Sequence, residues 1–311
     1  MADRPACTPS TPRTYLLAYS TDINDTNFRY FFYLSEDLSR TSLWNTYAYV
    51  RLDMKNADDI HYFKNFNAFN QSLYSNYPDP SLGYKDNTTG SDMFDVIKKF
   101  LKNTENLCGS TIAIAAKRYP NEVEVDDLIT ELQKNHVFVY ILSSDTPSGG
   151  SNPSAMFNVA TRTNGYCVFS ADGYLKDMYE DVESVLAHPN QIVANKFAVS
   201  GMGRQTVPFK PLIIQGCYNF IELEIVYQDH KVDGSLISLN YTITDEFGIV
   251  YPSYGSIPMY YTGYYDFFSL ENYVQYYLNI DYEYEEGRQE VMVVRMYSED
   301  YIPDYWLPFN N

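Results

Sequence analysis

Over the first two-thirds of the chain, short runs that are apolar throughout alternate with segments whose apolar residues recur every three to four positions. Residues 15–19 (Tyr-Leu-Leu-Ala-Tyr), 47–52, 111–116, 136–142 and 165–169 are continuous runs, with a shorter one at 60–63. A strand buried on both faces reads this way, because neither side of its pleat meets water. Residues 28–38, 92–101, 125–132, 153–163 and 175–186 carry helical spacing instead. In the second of these, Phe94, Ile97, Phe100 and Leu101 share one side, behind Ser91 or Asp92 as N-cap. The alternation predicts a doubly wound, mostly parallel α/β sheet of Rossmann type across residues 14–203. Helices would cover both faces, and a ligand would sit at the carboxyl ends of the strands.

The period changes after Gly203. Ile221, Leu223, Ile225 and Tyr227 alternate with Glu222, Glu224, Val226 and Gln228. Ile237, Leu239, Tyr241 and Ile243 alternate with polar residues, and so do Val274, Tyr276, Leu278, Ile280, Tyr282 and Tyr284. One apolar face per strand predicts an all-β region over 205–311, an immunoglobulin-like sandwich in size. Gly201-Met202-Gly203-Arg204 reads as a junction that follows a helix. Residues 1–13, polar and proline-rich, read as a disordered N-terminal segment.

Composition narrows function mainly by exclusion. The net charge is −18, from 22 basic and 40 acidic residues. Nucleic-acid binding is therefore not expected, since phosphate contacts need clustered cations. Anchoring to anionic lipid through basic patches fails on the same ground. No apolar run approaches the roughly 18 residues that span a bilayer. The first thirteen residues lack the apolar stretch of a signal peptide, which leaves a cytosolic site or a leader outside this sequence. Residues 205–311 hold 4 of the basic residues, 16 of the acidic ones and 17 of the 32 tyrosines.

Catalytic signatures are absent from the sequence. His61, His136, His188 and His230 form no HExxH, no GxSxG elbow occurs, and the cysteines form no CxxC pair. Asp281, Glu283, Glu285 and Glu286 read as a solvated strand end. Four sequons, at Asn24, Asn70, Asn87 and Asn240, barely exceed the about three expected by chance, and decide nothing about compartment. The run that holds Tyr260, Tyr261, Tyr264 and Tyr265 lies between expected strands. It reads either as an exposed partner-binding loop or as an aromatic loop packed on its own sheets.

The order of segments from residue 111 to 169 resembles that of a von Willebrand factor type A domain, and the resemblance covers residues 12–195. It rests on Thr-Ile-Ala-Ile-Ala-Ala, then Val-Glu-Val-Asp-Asp-Leu-Ile-Thr-Glu-Leu, then His-Val-Phe-Val-Tyr-Ile-Leu and Gly-Tyr-Cys-Val-Phe. With a β-sandwich attached, the whole is similar to secreted nematode proteins of unknown function. The family's metal pattern, Asp-x-Ser-x-Ser, maps onto residues 18–22. Ala18 replaces the leading Asp, Ser20 matches, and Asp22 takes the second Ser position. The family's Thr falls near Ser91, beside Asp92, and its last Asp maps to Ala116 or Ala115. Losing two carboxylates removes most of the charge that holds Mg²⁺, so the resemblance implies a degenerate site of Ser20, Asp22, Ser91 and Asp92, with no metal and no cofactor. Its sheet order also makes the first and fourth strands neighbours, which implies a Cys7–Cys108 disulfide. Cys167 and Cys217 read as a pair or as two buried thiols. The expectation is a non-catalytic, extracellular binding or adhesion protein with a protein partner, linked to innate defence. The alternative is an intracellular assembly scaffold.

Overall fold

The computed structural model describes residues 7–24, 28–29, 43–175, 190–211, 218–252, 260–271, 274–298 and 306–309. Six strands of the first half form one sheet: β1 (Arg13–Ser20), β2 (Trp44–Leu52), β3 (His61–Phe63), β4 (Thr111–Ala116), β5 (Phe138–Ser144) and β6 (Tyr166–Ser170). Their order is β3-β2-β1-β4-β5-β6. All pairs are parallel except β2–β3. Every residue of β1, β4, β5 and β6 is buried, which is why the sequence shows these strands as unbroken apolar runs. Sequence neighbours leave β1 to one side and β4 to the other, so the carboxyl ends of β1 and β4 flank the switch in strand order.

Four helices are described: α1 (Phe66–Tyr74), α2 (Met93–Asn103), α3 (Asp126–Lys134) and α4 (Pro153–Arg162). The last three lie within two residues of their expected positions. The expected helices at 28–38 and 175–186 fall almost wholly outside the described residues. Helix α1 escaped the sequence reading because it is short and buries only Phe69 and Leu73. Its N-cap Asn65 accepts a hydrogen bond from the Ala68 N–H at 3.1 Å. Phe69 meets Tyr15, Tyr47 and Tyr49 edge-on or tilted. Tyr15, Tyr19, Tyr47 and Tyr49 are thus core residues, and the Tyr19 hydroxyl donates to the Asn76 carbonyl at 2.5 Å.

The second half is two antiparallel four-stranded sheets. Its strands are β7 (Asn190–Ser200), β8 (Met202–Phe209), β9 (Tyr218–Val226), β10 (Leu236–Asp245), β11 (Val250–Pro252), β12 (Gly263–Glu271), β13 (Tyr276–Tyr284) and β14 (Gln289–Ser298). One sheet runs β11-β10-β13-β8 and the other β12-β9-β14-β7. Their apolar faces share one core, with Ile221, Leu223, Ile225, Met292 and Val294 from one and Leu239, Ile243, Leu278 and Ile280 from the other.

Several expectations need correction. The β region begins at Asn190, because β7 pairs along its length with β14. Gly201, at φ 54°, is the turn between β7 and β8, and no helix precedes it directly. The residues added between 190 and 204 include Lys196 and Arg204 and no acid. The net charge from residue 190 onward is therefore −10 (6 basic, 16 acidic), against −8 for the rest, and the acidic excess is no longer a property of one end. Ile237 is 58% exposed although its neighbours in the pattern are buried. A register shift between Leu236 and Ser238 turns it outward. Residues 7–12 are not disordered: Cys7 and Cys108 form a disulfide with Cα atoms 5.3 Å apart, and the Arg13 guanidinium donates to the Pro9 carbonyl at 2.6 Å. Cys167 is a buried free thiol, and Cys217 lies outside the described residues.

The two halves are joined by main-chain hydrogen bonds. Thr262 N–H donates to the Phe169 carbonyl at 3.0 Å and Ala171 N–H to the Tyr260 carbonyl at 3.0 Å. Val226, Val293 and Tyr297, on the outer face of their sheet, belong to the core of the first half. That face of β9 was expected to be solvated; docking covers it.

Candidate functional site

The carboxyl ends of β1 and β2 and the start of α2 meet around Asp53, the residue that follows β2. Ser20 Oγ donates to Asp53 Oδ2 at 2.6 Å and itself accepts from the Lys117 N–H at 3.0 Å. Asp53 and Asp92 are tied reciprocally: Asp53 N–H donates to Asp92 Oδ1 at 2.9 Å, and Asp92 N–H to Asp53 Oδ1 at 3.3 Å. Ser91 Oγ accepts from the Met93 N–H at 3.3 Å at the start of α2, whose N-cap is Asp92. Asp53 adopts φ 65°, a left-handed conformation that a buried non-glycine residue holds only when its surroundings fix it.

The structure therefore brings Ser20, Ser91 and Asp92 together, and it adds Asp53. Asp22 stands apart: it is half-buried, acts on Asp53 only through its charge, and its Oδ1 has no hydrogen-bond partner among the described residues. Ala115 and Ala116, where the resemblance placed the last Asp, are buried and offer no ligand oxygen. Lys117 follows them, and its ammonium reaches across to Thr146 O (2.7 Å), Ser144 Oγ (3.0 Å) and Asp172 Oδ2 (2.6 Å). It bridges the ends of β4, β5 and β6 with a fixed positive charge. Asp53 was legible in principle, since it directly follows a buried parallel strand.

Burial, followed by the charges of Asp92 and Asp22, raises the Asp53 carboxyl from its ordinary range to about 7, against the hydrogen bonds from Ser20 and Ser91. The folded protein then keeps a proton that the unfolded chain gives up near pH 4. Stability attributable to this group is present at low pH and is lost as pH rises toward 7. Between pH 5 and pH 8 the loss should be roughly 2–3 kcal/mol. Asp53→Asn is expected to flatten that part of the profile, read as the difference between wild-type and variant urea-unfolding free energies at the two pH values. An identical slope in both proteins would contradict this assignment.

The tyrosine run is not an exposed loop. Tyr264 and Tyr265 lie on β12; Tyr264 is buried and donates to Asp266 Oδ2 at 3.3 Å, while Tyr265 is half-buried. Tyr261 pairs with Ser170 as a β-bridge and packs on the first core. Tyr260 remains 46% exposed, yet its ring stacks flat on Tyr174 at 4.1 Å. Tyr260 and Tyr261 sit at the junction between halves and Tyr264 in the core of the second half, which corrects the reading of Tyr260, Tyr261, Tyr264 and Tyr265 as a free surface. The His136 ring stacks with Trp306 (5.0 Å) and with Phe309 (5.3 Å).

A family model described as a domain of unknown function (DUF7154) matches residues 195–299, from within β7 to just past β14. No curated protein matches the chain. Among solved structures, it is similar to a von Willebrand factor type A protein from Catenulispora acidiphila, with 7% identity over 94% of this chain and a TM-score of 0.39. It is also similar to proximal thread matrix protein 1 from the mussel byssus, described with a zinc-occupied MIDAS motif, at 11% identity over 61% of this chain and a TM-score of 0.41. The human COPII-coat protein Sec24c follows with 8% identity, 94% coverage and a TM-score of 0.38. The chain spans 63%, 50% and 43% of these three proteins' lengths.

Proposed function

We propose that this chain is a non-catalytic binding protein of an extracellular compartment, acting in adhesion or host defence through a protein partner. The observation that carries the reading is the Cys7–Cys108 disulfide, since such bonds persist where the surroundings are oxidising. The bridge closes the base of the parallel sheet, ahead of β1 and β4, and leaves the opposite carboxyl edge for recognition. There the groups around Asp53 satisfy one another, as suits a rigid binding face. We read the two antiparallel sheets as an immunoglobulin-like support for that face. The intracellular-scaffold reading would require reduced thiols and has no observation in its favour.

Two measurements test this. Alkylation of thiols before disruption of the source tissue should leave Cys7 and Cys108 unlabelled, in a secreted fraction; labelled cysteines in a cytosolic fraction would sink the compartment assignment. Partners captured from the extracellular fraction by the wild-type chain should be lost with Asp22→Lys, whose folding is checked by circular dichroism. Unchanged capture would move the binding face elsewhere.

A further inference from the structure

Away from the sheet edge, a loop and a strand end of the second half bring one histidine and three carboxylates together. The loop leaves β9 and carries Asp229, His230 and Asp233; Glu290 is the second residue of β14. The loop is held from within. Gln228 Nε2 donates to the carbonyls of His230 (3.2 Å) and Lys231 (2.6 Å), and Ser235 N–H donates to Asp233 Oδ1 at 2.9 Å. Gly234 takes the positive φ of 85° that the turn needs.

The His230 ring is oriented from both sides. Its Nε2 faces Asp233 Oδ2 at 3.1 Å. Its Nδ1 faces Asp229 Oδ1 at 3.0 Å and Glu290 Oε2 at 3.5 Å. A single hydrogen on Nδ1 serves one carboxylate well, not two. Glu290 Oε2 is the oxygen left over. The Glu290 side chain is 1% exposed, Ser235 Oγ reaches only its other oxygen at 3.4 Å, and Oε2 has no hydrogen bond. A buried carboxylate oxygen without a donor is costly, so the space between Oε2, Asp229 Oδ1 and Nδ1 suits a positive charge, either a proton shared with the imidazole or a metal ion.

We propose that Asp229, His230 and Glu290 bind a divalent transition-metal ion of the Zn²⁺ class, with Asp233 holding the imidazole. Mixed imidazole and carboxylate donors suit Zn²⁺ and its neighbours, whereas Ca²⁺ and Mg²⁺ take oxygen ligands. The spacing agrees. Bonds of about 2.0–2.2 Å at tetrahedral angles set donor atoms roughly 3.3–3.6 Å apart. Here Nδ1 stands 3.0 and 3.5 Å from the two carboxylate oxygens, and the three atoms lie within 4.8 Å of one another. Asp233 on the Nε2 side supplies the second carboxylate–histidine contact, which leaves the Nδ1 lone pair for the metal. Charge also balances: two ligating carboxylates match a dication, and the Asp233 carboxylate is paired with Arg288 Nη2 at 2.9 Å. Asp229 and His230 side chains are 38% and 32% exposed, so the site opens to water on one side, which gives the ion a path and a fourth ligand. A bound ion would pin the loop to β14.

The test uses the full chain after treatment with a chelator. Calorimetric titration with Zn²⁺ should show one site per chain, and Co²⁺ should give visible d–d bands of nitrogen–oxygen ligation. Zn²⁺ should raise Tm for the wild type and equally for Asp53→Asn, which separates this site from the sheet edge. His230→Gln and Glu290→Gln should abolish the signal, and Asp233→Asn should weaken affinity by roughly 10–100-fold without abolishing it. No saturable Zn²⁺ site in the wild type, or one unchanged in His230→Gln, overturns the proposal. Should the substituted chains fail to fold, the wild-type Co²⁺ spectrum decides alone: absence of d–d bands overturns it.

Discussion

Arg295→Leu should cost about 3–5 kcal/mol of folding stability. Arg295 lies on β14 and is fully buried. Its guanidinium is satisfied entirely by backbone carbonyls. Nε donates to Asn164 O (2.9 Å) and Gly165 O (3.0 Å), Nη2 to Thr161 O (2.9 Å), and Nη1 to Asn195 O (2.8 Å) and Val294 O (3.1 Å). Thr161 lies in the last turn of α4, and a helix C-terminus with its unpaired carbonyls favours a cation. Burial lowers the Arg295 pKa to about 10, which still leaves it charged at neutral pH. Leucine fills much of the space and leaves those carbonyls without donors in a dry interior. Because the carbonyls of Thr161, Asn164 and Gly165 belong to the first half, the variant should also loosen the coupling between halves. Urea unfolding followed by circular dichroism and by tryptophan fluorescence should then show two transitions where the wild type shows one. A loss below about 1 kcal/mol with a single transition would refute this role. Arg295→Lys should recover part of the loss, since an ammonium reaches fewer carbonyls than the guanidinium fork.

Opening the Cys7–Cys108 bridge should cost about 4–5 kcal/mol in the chain-entropy account, because the bond closes a loop of sequence separation 101. The bridge holds the segment that leads into β1 against the turn before β4, next to the Arg13 guanidinium, which lies over the Trp306 ring at 5.1 Å. Cys7→Ser alone should lose as much as the double Cys7→Ser, Cys108→Ser variant, since either breaks the one bond. Reductant should lower the wild-type Tm to that of the variant and leave the variant unchanged. A wild-type Tm insensitive to reductant, with the thiols shown to be free, would mean that the bridge contributes nothing to stability.

Much of the architecture was legible in the chain. The parallel strands announced themselves because burial on both faces demands unbroken apolar runs, and the antiparallel strands β10 and β13 because burial on one face demands alternation. What escaped were elements whose burial comes from elsewhere. β7 and β12 carry mixed sequences because their surroundings are uneven, and α1 shows only two buried side chains. The outer face of β9 looked solvated because Glu222 and Glu224 are charged, yet both are buried. The site was half legible. Ser20, Ser91 and Asp92 follow from the strand and helix ends they occupy, whereas Asp22 looked equivalent to them and is not.

The sequence by itself determined the order and class of the buried parallel strands, of helices α2 to α4 and of the alternating strands β9, β10 and β13, because hydrophobic period and burial are local properties of each segment. It also determined the excess of acid and of tyrosine, though not where either acts. Only the tertiary structure decided which polar groups meet. Asp53 reaches Ser20 across 33 positions, and Arg295 reaches Thr161 across 134. Such meetings depend on strand order and on the docking of one half on the other, which no local pattern encodes. Burial then sets their energetic weight: an oxygen such as Glu290 Oε2 reads as an ordinary surface carboxylate in the sequence and is a buried acceptor without a hydrogen-bond donor in the fold.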